Sequence, residues 1–367
     1  MALGLATVML IGLWVHDELT YDEHVPNRAQ IGQVMRQASV NNEVYTTNWL
    51  PYALSQELNT NYSQYFTHVI NKLPEGAYVL RWEEESFSEN GTNMDPSVID
   101  AFGLNMLEGD NSALEDPYSV ILSSSLAKKI FQYEDPLGKT LRVNNRNDVI
   151  VRGIFDDQPK NSSLHGVELI LPTELNLINN PWKLEQGFTN NFLGLYVQIA
   201  PGYTFEEVSE VIEEVIYEKV KDEGYGEYHP RLFIHPMEKW HLYGEWDNGV
   251  NTGRIRFVKL FGTIGIFILL LACINFMNLS TARSEKRAKE VGIRKSIGSR
   301  KKQLIAQFLI ESCLMVSLSF LLAILLASLS IGWFNSLADK QVALPFTNPV
   351  FWGISLLFIL VTGAIAG

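Results

Sequence analysis

Cysteine is scarce in this chain: 367 residues carry two, Cys273 and Cys313, and both lie inside long apolar segments. The polar stretch between the apolar ends therefore has no disulfide framework and must fold on its own core. A nucleotide-binding loop is also missing. Gly138-Lys139-Thr140 has the ending of one, but Tyr133 stands where a further glycine is needed, and Asp135-Pro136-Leu137-Gly138 reads as a turn. Ser123, Ser124, Ser125 and the lone His165 lack the context of a nucleophile elbow, and serines at a strand-to-helix junction read as a cap. His229, His235 and His241 are broken up by Pro230 and Pro236, so no regular element gathers them as zinc ligands. No catalytic, cofactor-binding or metal residue is expected, and no nucleic-acid motif is present.

Charge is absent from four segments: Met1–Val15, Leu260–Leu279, Cys313–Trp333 and Val350–Gly367. The middle two have the length that a hydrocarbon core of about 30 Å requires. The outer two are shorter and meet the chain ends, so the expectation is a fragment that begins inside one span and stops inside another. A signal peptide fits the start poorly: a basic n-region and a small-residue cleavage site are lacking, and Trp14 suits a membrane interface.

What is present is a sharp division of charge. Residues 16–257 hold 37 Asp or Glu against 18 Lys or Arg, whereas the rest of the chain holds 4 acids and 11 bases. The stretch Asn278–Gln303 alone carries nine bases and two acids. A short basic loop between two spans belongs on the cytoplasmic side. Residues 16–257 then lie outside, as does the short loop Asn335–Pro349.

The outer region mixes periodicities. Strands are expected at Tyr118–Ser123, Thr140–Asn144, Val149–Phe155, Val167–Pro172, Leu193–Ile199 and Arg231–His235, with a helix at Ser125–Phe131. A longer helix is expected over 205–221, where Val208, Val211, Ile212, Val215, Ile216 and Val220 make one face and Thr204 with Glu207 a capping box. The fold class is thus an α+β extracytoplasmic domain with an inserted β-rich part at roughly 117–200. It is joined to an α-helical transmembrane domain of about four spans, the first and last truncated. His16, Asp17, Glu18, Asp22, Glu23 and His24, just beyond the first span, read as a solvated collar, with a weak cation site as the lesser reading.

Polar groups in the spans form a second set of candidates. Asn275 and Asn278 share a helix face and are expected to hydrogen-bond across to another helix. Glu311 lies about two turns into the third helix, where an ionisable group is a functional candidate or a partner for the basic loop. The loop itself reads as helix, stop, helix, with Gly298 as stop and Ser299 as the next N-cap. Val291, Ile293 and Ile297 are large apolar residues in a charged setting, the pattern of a short helix that enters a groove on another protein.

Thr281-Ala-Arg-Ser, then Arg287-Ala-Lys-Glu-Val-Gly-Ile-Arg-Lys295, Gly298 and Gln303–Ser312 closely resemble the FtsX-like permease domain of MacB-type ABC transporters. His16–Asp22, Ile121–Lys129 with Asp135–Leu141, and Gly153–Ser162 resemble that family's periplasmic core domain. Ser299, where the family usually has Ala, is a small departure. The resemblance implies a truncated span at 1–15 and a porter-like outer domain at 16–257. It further implies a permease domain at 258–367, with spans near 258–280, 304–333 and 350–367 and a coupling loop at 281–303. It implies that Arg287, Lys289, Glu290, Val291, Gly292, Ile293, Arg294, Lys295 and Gly298 form the segment on which a separate cytoplasmic ATPase acts. ATP and Mg would be held by that partner and no cofactor by this chain. A homodimer or a second permease half, and an adaptor or envelope partner outside, would complete the assembly. The function implied is mechanotransmission for export or efflux from the inner membrane. The alternatives are a non-transporting regulator of a cell-envelope enzyme and, less in keeping with a chain that re-enters the membrane after 281–303, a sensor receptor.

Overall fold

The computed structural model describes residues 1–366 except 42, 225, 245, 248, 249, 252 and 297–300, with the backbone alone at 247, 250, 251, 282–292, 294–296, 301 and 366. Two units emerge: Met1–Leu19 with Ile255–Gly367, and Thr20–Arg254. Helix α1 (Ala2–Leu19) opens the chain and belongs to the first unit.

The outer unit starts with β1 (Ile31–Val40), β2 (Glu43–Thr47), the short β3 (Leu50–Pro51), α2 (Tyr52–Asn61) and β4 (Phe66–Lys72). Then come β5 (Gly76–Trp82), β6 (Glu85–Met94), α3 (Val98–Phe102), β7 (Met106–Glu108), β8 (Ser119–Ser123), α4 (Ser124–Phe131), β9 (Thr140–Val143), β10 (Asn147–Phe155) and β11 (Leu169–Pro172). After α5 (Thr173–Asn179) and α6 (Trp182–Glu185), the chain returns through β12 (Asn191–Ile199), α7 (Phe205–Ile212), α8 (Val215–Val220), β13 (Arg231–Pro236) and α9 (Met237–Trp240) to the small pair β14 (Trp246–Asp247) and β15 (Val250–Asn251).

Two bodies share this unit. In the first, β4, β12, β1 and β13 pair antiparallel in that order. With α2 between β1 and β4, and α7–α8 between β12 and β13, this is a split βαβ arrangement. The two-residue period of the strands divides its faces. Val69, Leu195 and Val197 pack on the helices with Leu54, Leu58, Val208 and Ile212. Ile31 and Ile70 face the other way, into a core with Met94, Phe102, Phe155 and Ile170.

The second body is a closed ring. β5 pairs with β6, β6 with β11, β11 with β8, β8 with β10, β10 with β9, and β9 with β5 again. Closure removes the unpaired edges that an open sheet would present. Leu80, Leu122, Leu141, Val151 and Leu169 fill it, with Leu126 and Ile130 of α4 alongside. The inserted part therefore differs from the expected 117–200. It gains β5 and β6 at the front and loses β12 at the rear, because Leu193, Leu195 and Val197 pack in the core of the first body.

The expected helix over 205–221 is two helices. Its capping box is present, with the Glu207 amide donating to Thr204 Oγ1 at 3.2 Å and the Thr204 amide to the Glu207 carboxylate at 2.8 Å. The break falls at Glu213 and Glu214. The Glu213 carbonyl accepts from the Leu232 amide of β13 at 2.9 Å, a strand bond in place of the next helical one.

The first unit comprises α1, α10 (Ile255–Ser296), α11 (Lys301–Ala338) and α12 (Pro349–Ala366). Among the described residues three stretches are long and apolar enough to cross a membrane, Ala2–Leu19, Ile255–Thr281 and Lys302–Ala338, and Pro349–Ile365 is a shorter apolar one. Small residues let the helices approach closely. A Cβ on Gly4 would lie 2.9 Å from the Ala272 Cβ, and one on Gly363 would lie 2.5 Å from the Cys313 Sγ.

Candidate functional site

Two ends of the helical unit carry the polar chemistry. At the end where α1 finishes, the loop between α11 and α12 is pinned by Asn335. Its side chain accepts from the Val342 amide at 3.1 Å and donates to the Val342 carbonyl at 2.9 Å. Asn348 caps α12 by accepting from the Val350 amide at 2.9 Å, with Pro349 as the first helical residue. The loop so held places Lys340 Nζ 2.6 Å from Asp17 and 2.8 Å from Glu18. Burial disfavours the ammonium, but its bonds to Asp17 and Glu18 outweigh this and hold the lysine above its ordinary pKa.

The expected solvated collar is accordingly corrected at two of its acids. Glu18 is 2 % exposed, and Asp22 of the outer unit is 1 % exposed. Asp22 accepts from the Ser163 amide at 2.6 Å and from its hydroxyl at 2.5 Å. Burial raises the Asp22 pKa against the pull of those bonds. His16, Glu23 and His24 are exposed as expected. Among the described residues no group of His, Cys, Asp or Glu is placed to hold a metal ion. His229 lies beside Glu214 and Tyr217, His235 beside Trp246, and His241 is stacked on Tyr21. The serine run does cap α4, since Ser123 Oγ accepts from the Leu126 amide at 3.1 Å and Asp157 accepts from the Ser125 amide at 3.0 Å.

The opposite end is the basic stretch. α10 has 42 residues, so it is about 63 Å long at 1.5 Å per residue, roughly twice the hydrocarbon thickness. Its apolar span closes at Thr281, and the helix runs on through Ser296. The expected first half of the loop is therefore not a separate helix but a continuation of the span. Arg287, Lys289, Glu290, Val291, Gly292, Arg294 and Lys295 lie on this helical extension, and their side chains fall outside the described set. Gly298 and Ser299 lie outside the described residues altogether. Ile293 is described, and it is 53 % exposed.

Asn275 and Asn278 sit on α10 and are both exposed in the single chain. Glu311 is half-buried on α11 and has an interaction partner. Lys340 is the residue that sequence reasoning missed. In the sequence it stands beside Asp339 in a short outer loop, with nothing local to point to Asp17 and Glu18.

An apolar helical unit with an α+β domain placed between its first and second helices, and a basic helical extension beyond the second, defines a multi-pass membrane protein with a large extracytoplasmic domain. The family model for the MacB-like periplasmic core domain matches residues 1–215, and that for the FtsX-like permease C-terminal domain matches residues 262–367. The chain belongs to this family of MacB-type ABC transporter permeases, integral to the inner membrane. It is similar to the macrolide export ATP-binding/permease protein MacB of Aggregatibacter actinomycetemcomitans, 24 % identical over 74 % of this chain and 40 % of that protein. It is also similar to the uncharacterized ABC transporter permease YknZ of Bacillus subtilis (strain 168), 23 % identical over 78 % of this chain and 68 % of that one. The crystal structure of the periplasmic region of MacB from Actinobacillus actinomycetemcomitans aligns with 56 % of this chain and 89 % of its own, at TM-score 0.40 and 19 % identity. The chain thus spans about two fifths of the length of its MacB relative.

Proposed function

We propose that this chain is the permease part of an ABC exporter, through which the movement of a cytoplasmic ATP-binding subunit reaches the outer domain. The observation that carries the reading is the unbroken helix α10. A continuous helix transmits displacement along its length, and about 22 Å of it extends past Thr281 toward Ser296. The exposed Ile293 gives that extension an apolar contact among charges, which suits a groove on a partner. Arg287, Lys289, Glu290, Val291, Gly292, Ile293, Arg294, Lys295 and Gly298 make up the docking segment in this reading. ATP and Mg belong to the partner, and hydrolysis is not this chain's reaction. Asn275 and Asn278 would be covered by a second copy or a second permease half, and an envelope adaptor would take up the exported molecule outside. The MacB relative's name, macrolide export, supports small-molecule efflux as the output.

The test is co-purification of the full chain with its ATP-binding subunit. Ile293→Asp and Glu290→Lys are expected to lower the recovered subunit at least tenfold, about 1.4 kcal/mol. Undiminished recovery in both would refute the docking segment. Transport in inverted vesicles then checks export: ATP-dependent accumulation of a probe drug should vanish in the same variants.

A further inference from the structure

The outer unit contains a cavity of about 450 Å³ beside the end of β13, within the range of small-molecule sites. Trp49, Trp240, Trp246 and Met35 supply its apolar walls, and no Asp, Glu, Lys or Arg is among the described residues that line it. Two of the lining residues each bury a polar atom without a hydrogen-bond partner: His235 its Nε2 and Trp246 its Nε1. His235 is 5 % exposed, and its ring meets the Trp246 ring edge-on at 5.5 Å between centroids. The backbone hydrogen bonds of the His235 ring run to Tyr243 and Lys239. With Nε2 unpartnered, those bonds fall to Nδ1–H, which leaves Nε2 as a bare acceptor. Burial, with Lys239 nearby, lowers the His235 pKa to about 4, so the imidazole is neutral at physiological pH. Trp246 Nε1–H is a bare donor. A second cavity of about 230 Å³ shares Gln33, Asn48 and Trp240 with the first, so the space continues past the tryptophans.

The geometry points to a binding site for an uncharged ligand that carries a secondary amide next to an apolar ring. The ring would lie among the tryptophans, the amide N–H would donate to His235 Nε2, and the amide carbonyl would accept from Trp246 Nε1. A buried acceptor and a buried donor each cost free energy while unpaired, and one amide satisfies both. Among the described residues the walls of the larger cavity carry no charged side chain, and Lys72 lines only the smaller one, so an anion or cation among the tryptophans would lose hydration with no adjacent charged partner. A short peptide and a non-peptide amide present the same groups. The site stands independently of the export reading, because binding needs neither ATP nor the partner subunit.

Calorimetry on the full chain in nanodiscs, with N-acetyl-phenylalaninamide as probe, tests this. Saturable binding is expected at about 1 mM or tighter, with N-acetyl-phenylalanine, its carboxylate counterpart, at least tenfold weaker. Trp246→Phe keeps an aromatic wall and removes only the donor, and is expected to weaken the neutral probe about fivefold to tenfold. His235→Leu should do the same or more, and His235→Gln, which restores an acceptor, should recover part of the loss. Absence of saturable binding, equal binding of the carboxylate, or Trp246→Phe binding as tightly as the parent overturns the proposal. The probe methylated at its acetamido nitrogen, if it binds as tightly, also overturns it, because that secondary amide can no longer donate to His235.

Discussion

At the residue scale, Lys340 holds the most consequence for its size. It is paired with two carboxylates at the end of α1, one of them almost fully buried. Removing one member of a buried ion pair orphans the other, and the loss is larger than the net worth of the pair. Lys340→Met is therefore expected to destabilise the helical unit by about 3 kcal/mol, measured by denaturant unfolding in mixed micelles. The double variant Lys340→Met with Glu18→Gln should recover part of that loss, and a single variant as stable as the parent would contradict the pairing. The residue could not be read from sequence, since Asp17, Glu18 and Lys340 stand at opposite ends of the chain. Reading Asp17, Glu18 and Asp22 as one solvated group failed for the same reason: each acid's partner arrives from a distant segment. Ser123 and Thr204 were legible as caps, because a cap acts within three residues of itself.

At the element scale, the closed ring depends on the approach of β6 to β11. Leu169 pairs with Gly91, and a Cβ on Gly91 would come within 2.5 Å of the Leu169 side chain and 2.8 Å of its carbonyl oxygen. Gly91→Val is expected to cost about 3 kcal/mol in the thermal stability of the outer unit, the upper part of the range for overpacking. A melting temperature unchanged by the substitution would mean that the two strands can part without loss. The strands after residue 117 were readable because β8, β10 and β11 are runs of Val, Ile and Leu bounded by turns. β5 and β6 were not: β6 is rich in Ser, Asn and Glu and carries Gly91, and β5 buries only Leu80 fully, so neither shows an alternating apolar pattern. The continuous run of α10 was hidden too. Composition changes abruptly at Thr281 while the backbone does not.

At the scale of the whole molecule, charge was the most legible property. The nine bases of Asn278–Gln303, against one Lys and one Asp in the outer loop Asn335–Pro349, place the extension of α10 inside and residues 16–257 outside. Labelling in intact cells checks this, with the half-buried Cys273 and Cys313 first replaced by alanine. A cysteine at Tyr133, fully exposed on the outer unit, should react with a membrane-impermeant maleimide at once. One at Ile293 should react only after permeabilisation, and the reverse pattern would invert the orientation. The division into two units followed from the apolar segments. The internal division of the outer unit did not, because β4 and β12 lie far apart in the sequence yet are sheet neighbours.

That neighbour relation has a bearing on how such a domain could change over time. The ring departs after Lys72 and rejoins before Gly194, two residues that face each other across one ladder. A short turn there would restore an ordinary hairpin, so the connection is permissive to exchange of everything between. The packing is not. Helices cover one side of the four-stranded sheet, while Ile31 and Ile70 on the other are sealed by Met94, Phe102, Phe155 and Ile170 from the excursion. A lineage can therefore vary the far side of the ring freely, yet any replacement must bring its own apolar lid.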